Sequence, residues 1–178
     1  TLGLDHPEAA VTFGNLGAVL GERGEREEAR AYLERAVAIC ERSFPPDHPH
    51  TAYHGANLAK VLRDAGEREA ARTEVERAYG IFERRGMLGH PFALQTLVTY
   101  ADLEADDGRL AEAMTLYEKA LRIQEETLGP DHPDLAMNLE KLAGVARRLG
   151  DEDEARAWKE RIAAIGGGGG EGGPPSSP

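Results

Sequence analysis

A histidine–proline pair stands at residues 6–7, 48–49, 90–91 and 132–133, each copy 42 residues after the one before. Self-similarity at a fixed period is the signature of stacked structural units, and it constrains the fold more tightly than any local propensity. Other columns keep the same register. Glycine recurs at Gly24, Gly66, Gly108 and Gly150, and alanine at Ala29, Ala71, Ala113 and Ala155. A second alanine column, Ala36, Ala78 and Ala120, gives way to Ile162 in the last copy, and isoleucine recurs at Ile39, Ile81, Ile123 and Ile165. The chain is therefore an array of four repeats, with units at about 4–44, 45–87, 88–128 and 129–165.

Within a unit the apolar spacing is helical. Phe13, Leu16, Gly17 and Leu20 follow the i, i+3, i+4, i+7 rule and are assigned to one core-facing stripe. After Gly24, the residues Ala29, Tyr32, Leu33, Ala36, Ile39 and Cys40 form a second stripe. The spacing predicts two antiparallel helices, over 7–22 and 25–42, joined by a short turn. Glycine suits the left-handed residue that commonly ends a helix, and the alanines allow close approach where helices cross. Strand signals are absent, so the expected fold class is all-α.

The histidine–proline column marks where each first helix begins. Proline is favoured at the first helical position, where its missing N–H costs nothing. The residue before it is driven out of the α region, as an N-cap must be. Asp5, Asp47 and Asp131 stand one place earlier, where a carboxylate is expected to meet free N–H groups at the positive helix end. Zinc or acid–base chemistry at these histidines fails on geometry. Packed helices lie about 8–10 Å apart, whereas a zinc–nitrogen bond is about 2.1 Å. His50 and His54, spaced i, i+4, lack a third ligand nearby and are assigned to surface or packing roles, so no metal or other cofactor is expected.

Composition removes further classes. The net charge is −11, from 21 basic and 32 acidic side chains, which disfavours binding to nucleic acid or an anionic membrane. No apolar run approaches the roughly 20 residues of a membrane span, and no signal-peptide pattern is seen. The single Cys40 has no internal disulfide partner, which fits a reducing, cytoplasmic location. Scarce aromatics, at 6%, suit helices packed through small residues.

The segments TLGLDHPEAAVTFGNLGAVLGERGEREEARAYLERAVAI and TLGPDHPDLAMNLEKLAGVARRLGDEDEARAWKERIAAI resemble tetratricopeptide repeats of the 42-residue kinesin light chain type. The resemblance spans about residues 1–165. It implies a right-handed α-solenoid of four helix-turn-helix repeats that acts as a protein-interaction scaffold, holding a peptide or partner segment in its concave groove. Two units depart from the pattern. The third, RRGMLGHPF, keeps His90-Pro91 but loses the preceding Pro-Asp, so a different loop is expected, and Glu104 stands where Leu20 and Leu62 do. In the fourth, Lys159 and Ile162 replace the usual apolar and small residues, as terminal repeats tend to do.

In repeats of this kind the first helices line the concave side. The positions opposite the assigned core stripe are Val11, Asn15, Ala18 and Glu22 in the first unit, and Tyr53, Asn57, Lys60 and Asp64 in the second. They continue as Gln95, Thr99, Asp102 and Asp106, then Met137, Lys141, Gly144 and Arg148. Asn15 and Asn57 match the family position whose amide grips a peptide backbone; an amide donates and accepts together, and a purely internal cap or pair is the alternative. Glu22, Asp64 and Asp106 close the first helices, where negative charge opposes the helix dipole. That row is either an acidic stripe for a basic partner or a solvated face neutralised by Arg23, Arg63 and other bases, the second being preferred. Lys60, Lys141, Arg147 and Arg148 make the fourth-repeat end more basic.

Residues 1–3 repeat Thr127-Leu128-Gly129 and are expected to be the tail of an upstream repeat. Residues 166–178, GGGGGEGGPPSSP, are expected to form a disordered Gly/Pro/Ser-rich tail. With no further capping helix after Ile165, Trp158 and Ile165 are expected to be partly exposed. End-to-end self-association, or service as the sensor arm of a larger signalling protein, is then the alternative function. Phosphate loops, GxSxG, HExxH and paired-cysteine motifs are missing, and the five-glycine run lacks the Lys and Ser/Thr a phosphate loop needs. The sequence points to a protein-interaction module that is not an enzyme.

Overall fold

Each first helix begins on a histidine because its Nδ1 stands two bonds from Cβ, where Asp or Asn carries a capping oxygen. In the computed structural model, which describes residues 6–167, His6, His48, His90 and His132 are the N-cap residues, all extended at ψ 134–143°. Each Nδ1 accepts the backbone N–H two residues on, at 3.2–3.3 Å. The imidazole therefore does the capping expected of the preceding carboxylate. Asp47 is engaged elsewhere: its carboxylate accepts from Arg85 Nη2 at 3.2 Å, and its carbonyl from Arg85 Nε at 3.0 Å. Asp5 lies outside the described residues.

Among the described residues eight α-helices follow in order, with no strand: α1 (Pro7–Glu22), α2 (Arg26–Ser43), α3 (Pro49–Asp64), α4 (Arg68–Arg84), α5 (Pro91–Asp106), α6 (Leu110–Leu128), α7 (Ala136–Leu149) and α8 (Glu152–Gly167). α7 is entered through a single 3-10 turn, Pro133–Leu135. The turn inside each pair is a Schellman motif. Gly24, Gly66, Gly108 and Gly150 sit at φ +79 to +85°, and the next N–H reaches back to the carbonyls of Leu20, Leu62, Glu104 and Ala146. The third unit does use a different entry: Gly86, at φ +65°, closes α4 with its own such turn. Gly166 and Gly167, assigned to the tail, belong to α8. Residues 1–5 and 168–178 lie outside the described residues, and with them the expectations for the upstream tail and most of the Gly/Pro/Ser segment.

α1 pairs with α2, α3 with α4, α5 with α6 and α7 with α8, and each second helix also packs on the following first helix. α1 stands beside α3, and α3 beside α5. The fold is an all-α solenoid.

The core face of α1 differs from the expected stripe. Ala10, Gly14, Gly17 and Leu20 are buried, Phe13 is half-buried, and Leu16 is exposed. Small residues, not Leu16, mark the crossing. A Cβ on Gly17 would stand 2.6 Å from Leu33 Cγ and 3.0 Å from the Ala29 carbonyl, so α1 and α2 meet backbone to backbone there. The same column continues as Ala59, Ala101 and Ala143, all buried.

Glu104 is buried in the third unit, where its carboxylate takes hydrogen bonds from Arg72 of α4 and Arg109 of the following turn. A paired buried carboxylate contributes little net stability, but a hole in its place is unfavourable. Glu104→Ala is expected to cost about 1–2 kcal/mol, and Glu104→Leu, which restores the residue of Leu20 and Leu62, to cost nothing or to stabilise. Urea unfolding of the two variants checks the contrast.

Candidate functional site

The side-by-side placement of α1, α3 and α5 leaves two neighbouring hollows over their shared face. The first, of about 350 Å³, is largely apolar and is lined by Val11, Asn15, Pro49, His50, Tyr53, His54, Phe82, Met87, His90 and Phe92. The second, narrower at about 120 Å³, is lined by Ala18, Gly21, Glu22, Tyr53, Asn57, Lys60, Val61, Asp64, Phe92 and Gln95. Tyr53 and Phe92 belong to both, their rings meeting edge to face at 4.1 Å between centroids. The structure thus brings together, in one continuous trough, every groove position named for the first two units and Gln95 from the third.

The remaining positions are used differently. Thr99 is buried, and its hydroxyl donates to the Gln95 carbonyl at 2.9 Å, so it is no groove residue. It shares the column of Asn15 and Asn57 and differs from them in being buried. Asp102 is a junction within the solenoid: it accepts from Arg63 Nη1 of α3 at 2.9 Å, from Lys141 Nζ of α7 at 2.7 Å and from the Tyr117 hydroxyl of α6. Asp106 accepts from Arg63 Nε at 2.7 Å, and Arg148 Nη2 donates to the Ala105 carbonyl at 2.7 Å. These charges, among them Lys141 and Arg148 of the more basic fourth-repeat end, tie α3, α5 and α7 together. Met137 lies open at 60% exposure.

The acidic row divides. Asp106 is neutralised by Arg63, whereas Glu22 and Asp64 line the narrow hollow beside Lys60. Arg23, expected to neutralise the row, pairs with Glu25 at 3.0 Å.

The polar atoms of the trough are unevenly satisfied. The Asn57 amide nitrogen is buried without a hydrogen-bond partner among the described residues, as are both ring nitrogens of His54. His54 fits only because Gly14 has no side chain, since a Cβ there would lie 2.1 Å from the imidazole. Burial, with His50 adding to it, pushes the His54 pKa down to about 4, so the ring is neutral. Phe92 was missed from the sequence. Its signal was available, because the same position in the other units holds Glu8, His50 and Asp134, all polar. No group of side chains suited to a metal ion occurs among the described residues.

Comparison with known proteins agrees with this geometry. The tetratricopeptide repeat profile matches residues 1–84 and 92–165. No curated protein matches the chain. Among solved structures, a Podosopora anserina protein with nearly identical TPR-like repeats of the kinesin light chain kind superposes with a TM-score of 0.78 at 26% identity, covering 97% of this chain and 82% of that one. BtubC (BKLC) from P. vanneervenii gives 0.83 at 20% identity, over 97% of this chain and 70% of that one. Aspartyl phosphate phosphatase F from Bacillus subtilis gives 0.77 at 16% identity, over 93% of this chain and 42% of that one. Four hairpins in a 42-residue register, histidine-capped and glycine-turned, place the chain in the tetratricopeptide repeat family.

Proposed function

We propose that this chain is a non-catalytic protein-interaction module, working in a reducing cytoplasm, that holds an extended segment of a partner protein in the trough over α1, α3 and α5. The observation that carries the reading is the Asn57 amide nitrogen, buried at the lining of the narrow hollow with no hydrogen-bond partner among the described residues. An orphaned donor of this kind costs about 1–3 kcal/mol unless something external meets it, and a peptide carbonyl supplies the acceptor. An internal pair through that nitrogen would have left it satisfied. The apolar hollow beside it offers burial for a side chain of the same segment, and Lys60 with Asp64 gives the neighbouring stretch a polar edge.

The test uses a peptide selected from a random library on the full chain. Asn15→Ala with Asn57→Ala is expected to weaken its binding roughly tenfold, from two lost hydrogen bonds, while circular dichroism shows unchanged helicity. Equal affinity of the double variant sinks the assignment.

A further inference from the structure

The wider hollow of the trough is lined by three histidines, His50, His54 and His90, with no charge beside them to balance a proton. Its other walls are uncharged: α1 presents Val11 and Asn15, α4 presents Phe82, and the turn into α5 presents Met87. Tyr53 is the one other titratable group that faces it. Among the described residues no carboxylate, lysine or arginine lines the hollow.

One of the three histidines also holds the backbone that shapes it. His90 Nδ1 accepts the Phe92 N–H at 3.3 Å, and its ring stacks on Phe92 at 5.3 Å between centroids. Phe92 in turn meets Tyr53 and walls the hollow with it. A protonated imidazole has two donors and no acceptor. A proton on His90 therefore removes the cap and sets a positive charge at the positive end of α5. His50 is exposed, 5.2 Å from the His48 ring and 6.3 Å from that of His54. The charges beside this stack are Arg85 and Asp47, already paired with each other at 3.2 Å. Burial, with His50 and Arg85 adding to it, pushes the His48 pKa down. His54 is neutral down to about pH 4, which leaves His50 and His90 as the hollow's groups for a proton in milder acid.

We propose that the wider hollow is a proton-gated subsite, which takes an apolar side chain of the bound segment only while His50 and His90 are uncharged. The inference rests on the trough reading and adds its regulation. An apolar side chain entering the hollow strips water from both rings and brings no counter-charge, and a desolvated charge without a partner is unfavourable. Docking and protonation therefore exclude each other. A binding step that needs one histidine neutral loses about tenfold in affinity per pH unit below that group's midpoint.

The probe is a labelled peptide selected on the full chain at pH 7.5 from a random library without histidine, so that every imidazole belongs to the chain. Its affinity, followed by fluorescence anisotropy, is expected to fall roughly fivefold or more between pH 7.5 and pH 5.5, with equal helicity at the two values. His50→Gln and His90→Asn are each expected to flatten that ratio, asparagine supplying a cap that takes up no proton. His132→Asn makes the same change in the fourth unit, outside the hollow, and is expected to keep the wild-type ratio. In the unaltered chain, saturating peptide is expected to lower the midpoints at which the His50 and His90 ring resonances titrate, because the coupling is reciprocal. Affinity that is equal at both pH values, or higher in acid as an anionic side chain would make it, overturns the proposal. So does a fall that His50→Gln and His90→Asn together leave intact. Binding untouched by Asn15→Ala with Asn57→Ala overturns trough and gate together, whereas binding that those changes weaken and pH does not overturns the gate alone.

Discussion

Between pH 6.5 and pH 4 the folded chain is expected to lose about 3 kcal/mol of stability through His54 alone. Burial holds its pKa at about 4 in the folded state, against about 6.5 for an unfolded histidine. Over that interval the unfolded chain binds the proton and the folded chain does not, so acid favours unfolding. The contribution is fully present above pH 6.5 and is lost as the pH falls to about 4. His54 is wholly buried, with the Gly14 backbone against its ring and neither nitrogen bonded among the described residues, so none of them offers an acceptor that offsets the charge. Carboxylates add an acid dependence of their own, and His54→Thr isolates the histidine. Threonine occupies the same column at Thr96 and is buried there. Urea unfolding from pH 7.5 to 4 is expected to show a steep fall for the wild type and a shallower one for His54→Thr. Parallel curves would remove His54 from the account.

Gly17→Val is expected to destabilise by about 3 kcal/mol, whereas Gly144→Ala is expected to stabilise by up to about 1 kcal/mol. Both glycines are helical, one in α1 and one in α7, yet their surroundings are opposite. At Gly17 a side chain meets Leu33 and the Ala29 carbonyl, part of a backbone that can shift only by moving α2. At Gly144 an added Cβ meets nothing within 4 Å, so alanine supplies helix propensity without a clash. Thermal unfolding of the pair gives both signs in one experiment. Equal effects would mean that α1 and α2 are not in backbone contact.

Those two residues also mark what the sequence showed and what it hid. Repeat length, helix pairing and the glycine turns are local backbone requirements, repeated in register, so a single chain displays them four times. The core stripe of α1 was misread because hydrophobicity drew the wheel through Leu16, while the contact is made by Gly14 and Gly17. Comparing Gly17 with Ala59, Ala101 and Ala143 would have exposed the small column. The use of Asp102, Lys141 and Arg148 was illegible for a different reason. These side chains meet residues 39–43 positions away, and charge on a helical surface does not announce whether its partner is solvent, a ligand or the next repeat. The histidine cap lay in plain view four times, but carboxylates one residue before three of them offered a more familiar acceptor.

The central claim is that a partner segment lies in the trough over α1, α3 and the start of α5. It is tested most directly by amide chemical-shift mapping of the full chain as a library-selected peptide is added. The account predicts shifts concentrated at Asn15, Tyr53, Asn57, Phe92 and Gln95, with α8 and the outer faces of α2 and α4 unmoved. Shifts centred on those outer faces, with the trough silent, would contradict it.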